Sequence, residues 1–145
     1  MTDSAREIED LLLSYAERID AGDFAGVGAL FAHGTLAGQR GSERVQALYE
    51  ATTRRYDDGT PLTHHAVTNL RVRVDEEAGT AVASSYFTVT QATPTLPLQV
   101  VVTGRYADTF RRRDDGWWFD ERVMHVDQVG DVSQHLLIDP ALLRA

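Results

Sequence analysis

Apolar residues recur at helical spacing near the start of the chain, where Ile8, Leu11, Leu12, Tyr15 and Ile19 share one face at about 100° per residue. Ser4 and Glu7 form the S-x-x-E of a capping box ahead of this stripe, which predicts a helix over 4–21 closed by Gly22. Asp23 is placed to cap a second, short helix carrying Phe24, Val27, Leu30 and Phe31, with Gly34 ending it. A strand-like "TLAG" follows, and Ser42 is positioned to cap a third helix with Val45, Leu48 and Tyr49 turned inward.

From Thr60 the pattern changes from helical to alternating. "LTHHAVTNLRVRVD" reads as a strand, "DEEAG" as its turn, "TAVASSYFTVT" as the next strand and "QATPTLPL" as a proline-marked loop. Two long strands, "QVVVTGRYADTFRRR" and "WWFDERVMHV", flank the hairpin signal Asp114-Asp115-Gly116. Helices first and antiparallel strands afterwards predict an α+β fold with the helices on one face of the sheet. A sheet covered on one face only, and curled around its helices, leaves a pocket between the layers, a usual ligand site.

The 145 residues suffice for one domain with its own core, and no linker, repeat or low-complexity segment divides 1–145. Formal charge is -8, and the 14 basic residues are all arginine. That balance argues against a nucleic-acid partner. Without cysteine there is no thiolate nucleophile or thiolate metal site, and without lysine no Schiff base or P-loop lysine. The acidic start "MTDSAREIED" lacks the features of a signal peptide, and no stretch nears the roughly 20 apolar residues of a membrane span. A cytoplasmic protein with no membrane partner is the expectation.

Histidine, carboxylate, tyrosine and serine chemistry remain. Asp20 stands out, because a carboxylate in the last turn of a helix meets the negative end of the helix dipole. It also flanks the buried stripe, beside Leu13, where a half-hidden acid needs a partner such as an imidazole. His64 and His65 are the candidates. Neighbours on a strand face opposite ways, so the two cannot grip one metal ion, and at most one enters a pocket. Strict alternation groups His64 with Leu70, Val72 and Val74 and favours it inside, whereas one bulge near Asn69 would turn His65 inward instead. His33, His125 and His135 have no carboxylate or histidine at ligand spacing and read as structural or surface residues. No serine sits in a G-x-S-x-G elbow.

Taken together, Tyr15 and Asp20, "THHAVTNL", "GRYADTFRRRDDGWWFDER" and "GDVSQHL" resemble the SnoaL-like branch of the nuclear transport factor 2-like (NTF2-like) superfamily, over about residues 5–137. The resemblance implies a cone-shaped α+β barrel, three N-terminal helices on a strongly curved, mostly antiparallel sheet enclosing a pocket, cofactor-free and metal-free, in a homodimer or homotrimer. Within the branch the chain is similar to its dehydratases and dehydrochlorinases, whose His-x-x-x-Asn-Leu pattern matches His65, Asn69 and Leu70. That match implies His65 as general base with Asp20 orienting it. It also implies that Tyr15, five residues before the acid, and Arg122, five after Trp117, assist a leaving group. The lysine of the dehydrochlorinase pattern has no counterpart.

Alternation counted from Arg122 then predicts a pocket lined by Met124 and Val126, by Val102 and Tyr106, and by Ser84 and Tyr86. Such a lining suits a hydrophobic cyclic or polyketide-like small molecule. The expected function is a cofactor-independent lyase of dehydratase type, since an aspartate-oriented imidazole suits proton abstraction next to a leaving group. An isomerase or cyclase with the same dyad, and a non-catalytic small-molecule binder or dioxygenase-small-subunit-like protein, are the alternatives.

Overall fold

The computed structural model describes residues 2–144. Three helices, α1 (Asp3–Asp20), α2 (Phe24–Leu30) and α3 (Ser42–Thr52), pack on one six-stranded sheet. Its strands are β1 (Thr35–Leu36), β2 (Gln39–Arg40), β3 (Thr63–Asp75), β4 (Thr80–Thr93), β5 (Leu96–Arg113) and β6 (Gly116–Val129), and a 3-10 helix over Pro140–Arg144 ends the described chain. The order is β2-β1-β6-β5-β4-β3, antiparallel except where β1 runs parallel to β6. Because β2 and β3 are not paired with each other, the implied barrel is an open mixed sheet. No helix of the described residues is long and apolar enough to cross a membrane.

The helical stripe does what its spacing demands: Ile8, Leu12, Tyr15 and Ile19 are all buried. Its cap differs from the expected box. Thr2 accepts from the Ala5 amide at 3.1 Å, while the Ser4 hydroxyl donates to Glu76 and the Glu7 carboxylate accepts the Trp117 amide at 2.7 Å. The two residues of the box are thus spent on tying α1 to the sheet. Gly22 closes α1 at φ +73, and an added Cβ would lie 1.9 Å from the Gly59 carbonyl oxygen. Asp23 caps α2 through the Gly26 amide as expected, whereas Gly41 holds the cap position of α3 without a side-chain bond and Ser42 is its first residue.

The expected 91–98 loop shrinks to a turn at Pro94 and Thr95, because β4 and β5 keep pairing up to Thr93 and Leu96. Pro97 is tolerated at an exposed position beside a register shift. Bulges set the faces of the sheet. On β3 an extra residue between Thr68 and Arg71, with Asn69 at φ 52, breaks the alternation. His65 and Val67 lie on the helix side before it, and Leu70, Val72 and Val74 after it. On β6 the shift near Asp120 lets Trp117 and Phe119, then Arg122, Met124 and Val126, all point inward.

Gly104 is needed where it stands, since a Cβ there would meet the Phe87 ring at 2.4 Å and the His125 carbonyl at 2.2 Å. Its absence lets Phe87 stack on Tyr106 with centroids 4.5 Å apart. Farther along, Phe31, Phe119 and Phe110 fill the core with rings 4.7 and 4.9 Å apart. After β6 the chain turns back across the end of α3, where Arg54 donates its amide to the His135 carbonyl and Leu137 donates to Thr52.

Candidate active site

Asp20 is the last residue of α1, and the strand opposite supplies what its position lacks. Its Oδ1 accepts from the Thr63 hydroxyl at 2.9 Å and from His65 Nδ1 at 2.6 Å, and its Oδ2 accepts the His65 amide at 2.7 Å. The helix dipole costs an acid there about 0.3–1 kcal/mol. Hydrogen bonds to a charged group return about 1.5–3 kcal/mol each, so three of them dominate. Burial pushes the carboxyl pKa up, but the bond and charge of the His65 ring, with the His65 amide and Thr63, outweigh it and hold the pKa below the ordinary value. An ionised carboxylate only accepts, so the shared proton sits on Nδ1, and in the neutral form of the ring the lone pair is on Nε2. The His65 side chain is 8% exposed and Asp20 21%. His64 faces outward, exposed.

His65 lines a cavity of about 340 Å³ between the helices and the sheet. Tyr15 and Tyr49 line it too, their hydroxyls hydrogen-bonded to each other. Of the residues expected from alternation, Val102, Tyr106, Met124 and Val126 line it, joined by Phe87 and Val89. Ser84 and Tyr86 do not: both are exposed on the opposite face. The reason is an extra residue at Val101, which pairs Tyr106 with Ser85 instead of Ser84 and shifts the inward set by one.

Arg122 is also not where a leaving group could reach it. It is fully buried, outside the cavity lining, and donates from Nε and Nη2 to the Asp108 carboxylate at 2.8 and 2.9 Å. Its guanidinium lies 3.7 Å from the Tyr106 ring centroid and 4.3 Å from that of Tyr15. Burial works against its charge, but the paired Asp108 outweighs that and raises the pKa. Arg122 therefore supports the two tyrosines from behind. Burial raises the pKa values of Tyr15, Tyr49 and Tyr106, so all three stay protonated phenols.

Two residues of this region escape a local reading. Asp108 is found only through its pairing with Arg122 across β5 and β6, whereas Tyr49 is turned inward as its helical spacing predicts and meets Tyr15 there. His135, 7% exposed, reaches the cavity because the returning chain pairs with Arg54. Burial, reinforced by the charge of His65, lowers its pKa to about 4 against an opposing pull from Asp20. Among the described residues no group of three or more His, Asp or Glu side chains could hold a metal ion.

No curated protein matches the chain by sequence. Among solved structures it is similar to a protein of unknown function from Mycobacterium tuberculosis, at 23% identity over 86% of this chain and 77% of that one, with a TM-score of 0.71. An NTF2-like protein with a cystatin-like fold from Novosphingobium aromaticivorans is 20% identical over 91% and 87%, with a TM-score of 0.70. A candidate scytalone dehydratase from the same species is 22% identical over 90% and 91%, also with a TM-score of 0.70. These likenesses establish the fold, helices on an open NTF2-like sheet. The model of the SnoaL-like domain matches residues 1–123, and the chain belongs to the SnoaL-like family.

Proposed function

We propose that this chain is a cofactor-independent lyase of dehydratase type, acting on a hydrophobic cyclic or polyketide-like small molecule. The observation that carries the proposal is the Asp20–His65 contact at 2.6 Å at the edge of an apolar cavity. His65 Nε2 takes a proton from the carbon next to a carbonyl, and Asp20 stabilises the imidazolium that forms. The leaving hydroxyl on the neighbouring carbon departs as water, protonated by Tyr15, and a carbon–carbon double bond remains. Three features support this sequence of events. The Asp20 carboxyl stays ionised, the Tyr15 phenol stays protonated, and both Tyr15 and His65 line the same chamber. Arg122 serves as a positioning residue beneath Tyr15 and Tyr106.

The family hosts small-molecule chemistry on a shared scaffold, so substrate and reaction must be argued from the site. A panel of bicyclic β-hydroxy ketones, followed by the absorbance of the conjugated product and by released water, tests the proposal. Turnover should vanish in His65→Ala with the fold intact by circular dichroism. Full activity in that variant ends the assignment. Product with the substrate's elemental composition, and no water released, would identify an isomerase instead.

A further inference from the structure

We propose that His135 is a second polar anchor of the cavity, hydrogen-bonding an oxygen substituent of the two-ring molecule on which His65 acts. The inference rests on the reading of the cavity as a substrate chamber and adds to it a binding group from the segment after β6.

The position of His135 is fixed by its backbone. Its amide donates to the Val132 carbonyl at 3.0 Å and its carbonyl accepts the Arg54 amide at 2.9 Å, so the side chain is delivered to the cavity by long-range pairing. The ring is almost fully buried, yet Nδ1 has no hydrogen-bond partner and neither nitrogen is bonded within the described residues. Buried polar groups in folded proteins are nearly always bonded. An imidazole without a partner, on the wall of a largely apolar chamber, marks the place where a ligand atom completes the set. Nδ1 is sealed off, so Nε2 is the nitrogen presented as the ring stands, and a half-turn of the ring exchanges its nitrogen and carbon edges.

The two imidazoles on this wall divide the chemistry. His65 is tied to a carboxylate that stabilises its protonated form, while His135 has no acid hydrogen-bonded to it and burial keeps it neutral. One can take a proton, and the other can only donate or accept a hydrogen bond. Size sets the ligand class. A cavity of about 150 Å³ holds one benzene, so about 340 Å³ accommodates two fused rings. Phe87, Val89 and Val102 cover the apolar body, leaving the oxygen substituent to the polar groups.

Binding of 2-naphthol and of its oxygen-free counterpart 2-methylnaphthalene tests the inference by calorimetry. One neutral hydrogen bond in a buried site amounts to about a tenfold preference for the naphthol in the wild type. His135→Phe should reduce that preference to about twofold or less. The inference is overturned if folded His135→Phe retains the tenfold preference, or if the wild type shows none. A second readout needs no variant. In the ¹⁵N-histidine-labelled wild type, naphthol should shift the His135 ring nitrogens and methylnaphthalene should not, and equal responses to the two probes overturn the inference. Loss of turnover in His65→Ala is a separate measurement, so failure of the lyase assignment and failure of this one are told apart.

Discussion

Acid should weaken this fold through His135. The residue is 7% exposed, and burial together with the charge of His65 lowers its pKa from 6.5 to about 4. In the unfolded chain the imidazole takes a proton near pH 6.5, whereas in the folded chain it waits until about pH 4. Between those values the unfolded state binds more protons, so stability rises with pH there and falls on acidification. The stabilisation is fully present above pH 6.5 and is lost by about pH 4. At about 1.4 kcal/mol per pH unit the gap corresponds to about 3 kcal/mol, or roughly 10 °C in Tm for a domain of this size. Urea unfolding of the wild type and of His135→Phe from pH 4 to pH 8 measures it. The replacement brings a constant offset, so the comparison lies in the slopes. Over that range the wild type should lose about 3 kcal/mol more than the variant. Parallel profiles, within about 1 kcal/mol, would refute the reasoning.

Two further outcomes follow from the site. Asp108→Ala leaves the fully buried Arg122 guanidinium without its counter-ion and should cost about 3–5 kcal/mol. The double variant Asp108→Leu with Arg122→Met should recover most of that loss in thermal denaturation, and no recovery would show that the tyrosine cluster needs the guanidinium itself. Asp20→Asn should release the Nδ1–H tautomer of His65, seen as a change in its ¹⁵N shifts, and lower kcat/KM about 10²- to 10⁴-fold.

How much of this was legible in the sequence divides along bulges. The helical stripe, the caps at Gly22 and Asp23, the hairpin at Asp114–Gly116 and the anomaly of Asp20 are written in local chemistry, and the structure keeps them. Alternation carries a face assignment only as far as the next extra residue. From Arg122 to Met124 and Val126 there is none, and those positions line the cavity. Between Tyr106 and β4 lies the extra residue at Val101, so Ser84 and Tyr86 fall on the outer face. The bulge at Asn69 acts the same way on β3, where it gives His65 the inward face and His64 the outward one. Asn tolerates the left-handed backbone better than most residues, yet nothing in "THHAVTNL" alone distinguishes a bulged strand from a straight one. Asp108 and His135 were out of reach for another reason. Each acquires its role from a partner on a distant segment, Arg122 in one case and Arg54 in the other.

The polar residues of the interior can be ranked by how completely the chain satisfies them. Asp20 sits against the helix dipole but holds three hydrogen bonds, and Arg122 is wholly buried but holds a two-bond pair with Asp108 and the faces of Tyr15 and Tyr106. In both cases the fold supplies a charged partner, although Nη1 of Arg122 is left without a hydrogen bond. His135 is also buried, and its ring has no hydrogen-bonded partner at all. An unbonded buried ring nitrogen costs on the order of 1–3 kcal/mol, which an apolar side chain at position 135 would avoid. A site built for packing alone would place leucine or phenylalanine there. On the proposed reading the partner arrives with a ligand, in the chamber that His65 also lines.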